Sequence, residues 1–318
     1  MRVFITGAGG FIGRRAVEYL SENKDFRLRV MPGRRENEAL SRNRETESVP
    51  GRDISGKTLW DDALAGVDTI VHLAARAHVR NESKGNSLEL FRKVNVKGSL
   101  NLGKQAVRAG VKRFVFISSI GVNGNKSFRP FTVNDPPNPT EPYAVSKLEA
   151  EEGLARLAQE TKMELVIIRP VLVYGPGAPG NFARLANMVK KGIPLPLGAV
   201  RNKRSLAAID NLVDLIAVCI KHPAAAGQTF LVSDGRDFST PELIRKMADA
   251  MGCATRLVPV PSALLRLAGL MTGKSKEIEK LTGSLQVDIS HTCRTLNWQP
   301  PVCADKAIKE AAASFVNE

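Results

Sequence analysis

Residues 2–13 read Arg-Val-Phe-Ile-Thr-Gly-Ala-Gly-Gly-Phe-Ile-Gly. The apolar run closing on Gly7 predicts a buried strand. The next stretch, 11–23, places Ile12, Val17 and Leu20 at helical spacing. Three glycines sit between and within these elements, and each has a separate reason. Gly7 permits the tight turn, Gly10 lets the backbone approach a pyrophosphate, and Gly13 lets helix pack close to strand. The helix N-terminus at Phe11 and Ile12 offers unpaired N–H groups and a partial positive charge to that anion. A strand, a glycine turn and a helix in this order predict a dinucleotide-binding unit.

Outward from this unit the pattern repeats. Strands are predicted at 26–31, 67–75, 112–119 and 163–170, with helices at 88–110 and 142–161 between them. This alternation predicts an α/β fold, a Rossmann-type doubly wound parallel sheet. After Pro170 the texture turns to Gly- and Pro-rich loops around a short helix at 182–190. A helix at 209–222, a strand at 228–235 and a helix capped by Ser239 follow, the cap supported by Glu242 three residues on. The expected plan is a dinucleotide domain over 1–172, with 204–222 returning to it, and a smaller substrate-binding lobe made mainly of 173–318.

The chain has 318 residues, 43% hydrophobic and 25% charged, the composition of a globular protein. It has no apolar run of the roughly eighteen residues that a membrane span needs. No basic-then-apolar leader precedes the first strand, so the expectation is a cytoplasmic protein. Cys219, Cys253, Cys293 and Cys303 lack C-x-x-C spacing and read as reduced thiols. His72, His78, His222 and His291 are scattered, so no metal site is predicted. The net charge of +14 comes without any nucleic-acid-binding signature, so it reads as a basic surface with a local use for phosphates.

The tip of the second strand decides between the two nicotinamide cofactors. An Asp or Glu there would bind both adenosine ribose hydroxyls and repel a phosphate. Here Met31-Pro32-Gly33 is followed by Arg34 and Arg35, which can hold a 2′-phosphate. NADP(H) is therefore favoured, with NAD(H) possible through Glu36.

Two later stretches carry the chemistry: Phe-Val-Phe-Ile-Ser-Ser at 114–119 and Pro-Tyr-Ala-Val-Ser-Lys at 142–147. Tyr143 and Lys147 lie four apart on one helix face. A phenol near pKa 10 is a poor acid or base at neutral pH, and a neighbouring ammonium is expected to lower it. Ser119, at a strand end, is placed to hydrogen-bond the same substrate oxygen.

These residues together resemble the extended short-chain dehydrogenase/reductase family over nearly the whole chain. Thr6–Gly13 matches its T-G-x-x-G-x-x-G. Asp53 and Ile54 sit where the family contacts adenine, and Leu73, Ala74 and Ala75, after His72, where it lines ribose and pyrophosphate. Asn95 falls on the family's helix asparagine. Ser119, Tyr143 and Lys147 fall on its catalytic residues, with Ser118 beside the cofactor. Residues 167–177 match its R-P-x-x-V-Y-G-P segment, so Pro170 and Val173 are expected to flank the nicotinamide. Within the family the chain looks most like nucleotide-sugar enzymes, which implies Asn181, Phe182 and Arg204 on a UDP-sugar. Its texture is similar to that of reductases of UDP-4-keto-6-deoxy-N-acetylhexosamines used for surface polysaccharides. Family members pair through two helices, here those around 88–109 and 143–160, which implies a homodimer.

Three departures stand out. Asn123 replaces the tyrosine of S-S-x-x-V-Y-G. Ala207–Asn211 replaces an F-V-H-V-D-D core. The acid at the second strand is missing. With Arg34 and Arg35 they favour an NADPH-consuming 4-keto-sugar reductase. The alternatives are a UDP-glucose or UDP-N-acetylglucosamine 4-epimerase and a non-sugar ketone reductase. Residues 261–276 combine an apolar face with a basic end, a pattern open to peripheral membrane contact or to a lid helix.

Overall fold

The strand that opens the chain lies inside its sheet, buried on both faces, which explains its unbroken apolar run. The computed structural model describes residues 1–33, 46–77 and 87–316. Among these the strands are β1 (Arg2–Thr6), β2 (Arg27–Met31), β3 (Thr46–Ser48), β4 (Thr69–His72), β5 (Arg113–Ile117), β6 (Glu164–Pro170), β7 (Leu172–Tyr174), β8 (Arg204–Ala208), β9 (Thr229–Val232) and β10 (Asp237–Phe238). Seven form a parallel sheet in the order β3-β2-β1-β4-β5-β6-β9. The order reverses between β1 and β4, so the crevice at their carboxyl ends is the expected ligand position. A smaller sheet runs β10-β8-β7.

The helices are α1 (Phe11–Ser21), α2 (Asp61–Leu64), α3 (Ser87–Phe91), α4 (Ser99–Arg108), α5 (Pro142–Gln159), α6 (Asn181–Lys190), α7 (Ile209–Lys221), α8 (Thr240–Met251), α9 (Ser262–Thr272), α10 (Ser275–Thr282), α11 (Ser290–Leu296) and α12 (Ala304–Ser314). They cover both faces of the large sheet. Val3 and Ile5 pack with Val17, Leu20, Leu212 and Ile216 under α1 and α7. Phe4 points the other way, packing with Leu102, Ala106, Ala150 and Leu154 under α4 and α5. A third core joins Phe182, Leu206, Phe238, Met247 and Ile308 around the small sheet.

Two details differ from the sequence reading. The single helix expected over 88–110 is interrupted by a π-helical stretch, Arg92–Gly98. A strand from beyond residue 172, β9, joins the large sheet beside β6. Ser239 caps α8 as expected, accepting from the Glu242 N–H at 3.2 Å. All four cysteines are free. Among the described residues no helix is long and apolar enough to cross a membrane.

Candidate active site

The glycine turn after β1 forms a cradle with no room for side chains. Gly7 has φ of +72°, and a Cβ there would lie 2.7 Å from the Ala74 nitrogen. A Cβ on Gly13 would lie 2.0 Å from the Gly7 carbonyl oxygen, so α1 seats directly on the turn. Gly10 is different. A Cβ there meets only the Gly7 oxygen, at 3.3 Å, which leaves its outer side open to a ligand. No side chain caps α1 at Gly10, so the first-turn N–H groups at Phe11 and Ile12 are available to an anion.

The segment after β4 is gripped from two sides. Leu73 and Ala74 donate their N–H groups to the carbonyl and hydroxyl oxygens of Thr6. Asn95, in the π-helical stretch, accepts from the Arg76 N–H at 2.9 Å and donates to the Arg76 carbonyl and the Ser146 hydroxyl. Asn95 therefore joins this loop to α5, the helix that carries Tyr143. Phe11, Leu73 and Val173 pack around one small cluster with Ile209, so three expected cofactor neighbours meet. Ala75 is half-buried in the same segment, and Pro170 is buried at the end of β6. Ile54 packs against Gly98, whose absent side chain leaves 2.5 Å for its methyl group, and the Asp53 carbonyl accepts from Thr58 at 2.5 Å. The Ser118 hydroxyl is buried without a partner at the tip of β5. An open glycine edge, uncapped N–H groups and an orphan hydroxyl at one end of the sheet fit a dinucleotide. Among the described residues no cluster of His, Cys, Asp and Glu could hold a metal.

The catalytic corner lies between β5 and the first turns of α5. Lys147 is buried, and its Nζ donates to the Ile117 carbonyl at 2.7 Å and lies 4.4 Å from the centre of the Phe116 ring. Ser119 caps the short turn Ile120–Val122, its Oγ accepting from the Gly121 N–H at 3.1 Å. Gly121 in turn abuts Ala144, next to Tyr143, with 3.2 Å left for a Cβ. The Tyr143 ring packs edge-on against Phe91 at 5.9 Å. Ser119, Tyr143 and Lys147 thus lie on adjoining elements.

Their electrostatics correct one expectation. Burial pulls the Lys147 ammonium down to about 7, with Glu151 acting in the opposite direction. Burial also holds the Tyr143 phenol up to about 12, where a lowering was expected. The reason is that Lys147 directs its charge at the Ile117 carbonyl and the Phe116 ring, while desolvation of the phenol goes uncompensated.

Behind this corner lies a buried polar chain that the sequence reading missed. Arg169 makes paired hydrogen bonds to Glu151 at 3.0 and 2.5 Å and a third to the Asn123 side-chain oxygen at 3.0 Å. Asn123 is therefore an acceptor for Arg169, which gives its departure from the family pattern a structural use. Glu151, four residues after Lys147, was the available signal. His72 is fully buried between the Thr6 hydroxyl at 2.7 Å and the Ser99 hydroxyl at 2.9 Å. Burial, with Lys147 nearby, lowers it to about 3, so it is a neutral strut.

The outer candidates are dispersed. Asn181 is exposed at the start of α6, after Gly180 with φ of +75°. Phe182 departs from its expected ligand contact. Its ring is buried in the lobe core, stacked on Tyr174 at 5.4 Å, and so anchors the helix that presents Asn181. Arg204 is half-buried and donates through Nη1 to the carbonyls of Lys280 and Gly283. Asn181 and Arg204 make no hydrogen bond to each other. Arg34 and Arg35 lie outside the described residues.

Comparison with known proteins shows the family. Residues 3–233 match the NAD dependent epimerase/dehydratase family. A UDP-glucose 4-epimerase of Vibrio cholerae is 45% identical, over 99% of this chain and 95% of its own. An N-acetyl-alpha-D-glucosaminyl-diphospho-ditrans,octacis-undecaprenol 4-epimerase of Escherichia coli O157:H7 is 28% identical, over 90% of this chain and 87% of its own. A UDP-glucuronic acid 4-epimerase of Bacillus cereus, solved with NAD, has the same fold: TM-score 0.81 at 21% identity, covering 99% of this chain and 96% of that one. The glycine cradle, the adjoining Ser119, Tyr143 and Lys147, and this likeness place the chain in the NAD dependent epimerase/dehydratase family, among the extended short-chain dehydrogenases/reductases.

Proposed function

We propose that the protein is a 4-epimerase of a UDP-hexose that works with tightly held NAD. The observation that carries this reading is the 45% identity, over almost the full length, to the Vibrio cholerae UDP-glucose 4-epimerase. The 4-keto-sugar reductase expected from the sequence is less well supported than this alternative. Besides its texture and the three departures it drew on Arg34 and Arg35 as a phosphate site for NADP, whereas the Bacillus cereus neighbour was solved with NAD.

The cofactor would lie along Gly7, Gly10, the start of α1, Leu73–Ala75 and Ser118. When bound, it supplies a reversible hydride acceptor at carbon 4 of the sugar. Tyr143 takes the proton from the carbon 4 hydroxyl and returns it after the ring has turned. Lys147, held by the Ile117 carbonyl, leaves the phenol raised as it stands, and would favour the phenolate on turning its ammonium toward Tyr143. Ser119 orients the reacting oxygen. Asn181 and Arg204 hold the diphosphate, Arg204 through nitrogen atoms other than Nη1. A second reading keeps the chemistry and changes the carrier. The Escherichia coli relative acts, by its name, on a sugar joined through diphosphate to undecaprenol. Residues that grip a diphosphate serve either carrier.

The test is incubation with UDP-galactose and, separately, UDP-N-acetylgalactosamine, without added NADPH, followed by separation of the sugars. Interconversion with no net change in nicotinamide absorbance is expected. Inert UDP-hexoses together with NADPH consumption on UDP-4-keto-6-deoxy-N-acetylglucosamine would restore the reductase. Tyr143→Phe is expected to lower turnover by about a hundredfold or more while NAD content stays near normal. Retained turnover would remove Tyr143 from its role.

A further inference from the structure

Helix α9 is amphipathic in an unusual sense: its apolar face points outward. Leu265 and Gly269 are buried, and Gly269 leaves only 2.9 Å between a Cβ and Ile278 on α10, so the two helices form a tight hairpin. The opposite side exposes Leu264, Leu267, Leu270 and Met271, at 54 to 82% of their full surface. Leu264, Leu267 and Met271 follow the i, i+3, i+7 spacing of one helical stripe. Phe128, fully exposed, stands on a loop pinned to the same region. Its neighbour Lys126 pairs with Glu279 at 3.0 Å, and Ser127 bonds to Ser284 and Gln286.

The surroundings of this face are basic. Between residues 256 and 282 the chain has five basic residues and two acidic ones, Glu277 and Glu279, on a protein of net charge +14. Arg266 and Lys274 are exposed beside the leucines. We propose that the α9–α10 hairpin, with Phe128, is a docking surface for an anionic lipid bilayer, its leucines entering the headgroup boundary while the basic residues meet lipid phosphates.

Charge complementarity favours this occupant over a second copy. A two-fold contact through the face would bring two cationic borders, each with Arg266 and Lys274, into the same interface. A bilayer meets both halves of the surface, the apolar stripe and its cationic border. Docking also has a direction. The hairpin is tied to Arg204 through the carbonyls of Lys280 and Gly283. Lys280 also pairs at 2.8 Å with Glu141, two residues before Tyr143. A docked hairpin therefore sets the candidate substrate side of the molecule against the headgroups. The proposal does not depend on the catalytic reading.

Co-sedimentation with vesicles tests it, with no substrate present. Vesicles of phosphatidylcholine and phosphatidylglycerol in equal parts should bind the protein, and vesicles of phosphatidylcholine alone should bind it far less. Binding should weaken as salt rises. The double variant L267E/M271E should bind at least about tenfold more weakly, and Phe128→Ser severalfold more weakly, both with an unchanged thermal midpoint. Absence of binding to the anionic vesicles, or equal binding by L267E/M271E, overturns the proposal. So does vesicle-independent, concentration-dependent association that L267E/M271E abolishes, which would assign the face to a second copy.

Discussion

His72 shows how a residue of apparent chemical promise becomes structural. It ends β4 at the head of a ligand-lining motif, yet its ring faces inward, stacked on Phe116 at 5.9 Å. Its folded pKa, about 3, lies below its ordinary 6.5. The unfolded chain therefore takes up a proton first as pH falls. The stability due to neutral His72 is complete above about 6.5 and is lost as pH drops toward 3. His72→Gln keeps a donor and an acceptor between Thr6 and Ser99 but removes the titration. Between about pH 7.5 and about pH 4.5 the loss of unfolding free energy should shrink by roughly 2–3 kcal/mol, read from urea midpoints. An identical acid loss in wild type and variant would show that His72 is not the group responsible. The residue type was legible in the sequence, but its direction was not, because inward and outward positions at a strand end look alike. The same holds for Phe182 and Asn123, whose ring and amide meet Phe315 and Arg169 from elements remote in the chain.

At the scale of elements, the glycine turn was legible because each glycine answers a local steric demand. Two substitutions separate those demands. Gly13→Ala puts a methyl group into the Gly7 and Ala8 backbone. It is expected to destabilise the protein by about 2–4 kcal/mol and to weaken NAD binding with it. Gly10→Ala meets a single oxygen at 3.3 Å, so thermal stability should change little while the nucleotide is displaced. Thermal scans with and without NAD check both, and a Gly10→Ala protein that binds NAD normally would move the phosphates elsewhere. The π-helical stretch Arg92–Gly98 left no mark in the apolar periodicity. It widens the turn that sets Asn95 toward both Arg76 and Ser146, and such wide turns are often found at functional sites. The last residue of the stretch, Gly98, packs against Ile54, a contact remote in the chain.

At the scale of the molecule, one half-buried acid links the two sheets. Asp234 follows β9 and accepts from the Ala208 N–H, the Asn211 amide and the Tyr174 hydroxyl, at 2.7, 2.7 and 2.8 Å. Asn211 stands where the family pattern has a second aspartate, and here it is the donor that Asp234 needs. Asn211→Asp would set two carboxylates face to face. A loss of about 2–4 kcal/mol at neutral pH is expected, partly regained at lower pH, because the pair's raised pKa makes stability fall as pH rises through it. A variant as stable as wild type at neutral pH would mean that Asp234 has another partner. The family was legible from motifs along the chain, whereas the choice of reaction was not. It hung on two arginines in a stretch outside the described residues, and a loop arginine looks the same whether it meets a phosphate or water.

The place of β9 has a consequence for how the chain is made. The large sheet is completed by residues 229–232, and its α1 face is covered by α7, at Ile209–Lys221. A nascent chain that has emerged only as far as residue 172 therefore presents β6 as an open edge and an uncovered apolar face, both invitations to aggregate. The large sheet cannot close until residues 229–232 have emerged. A fragment cut at residue 172 should be far less soluble than the full chain, as sedimentation after expression would show, and a fully soluble 1–172 fragment would mean that the edge is protected in another way.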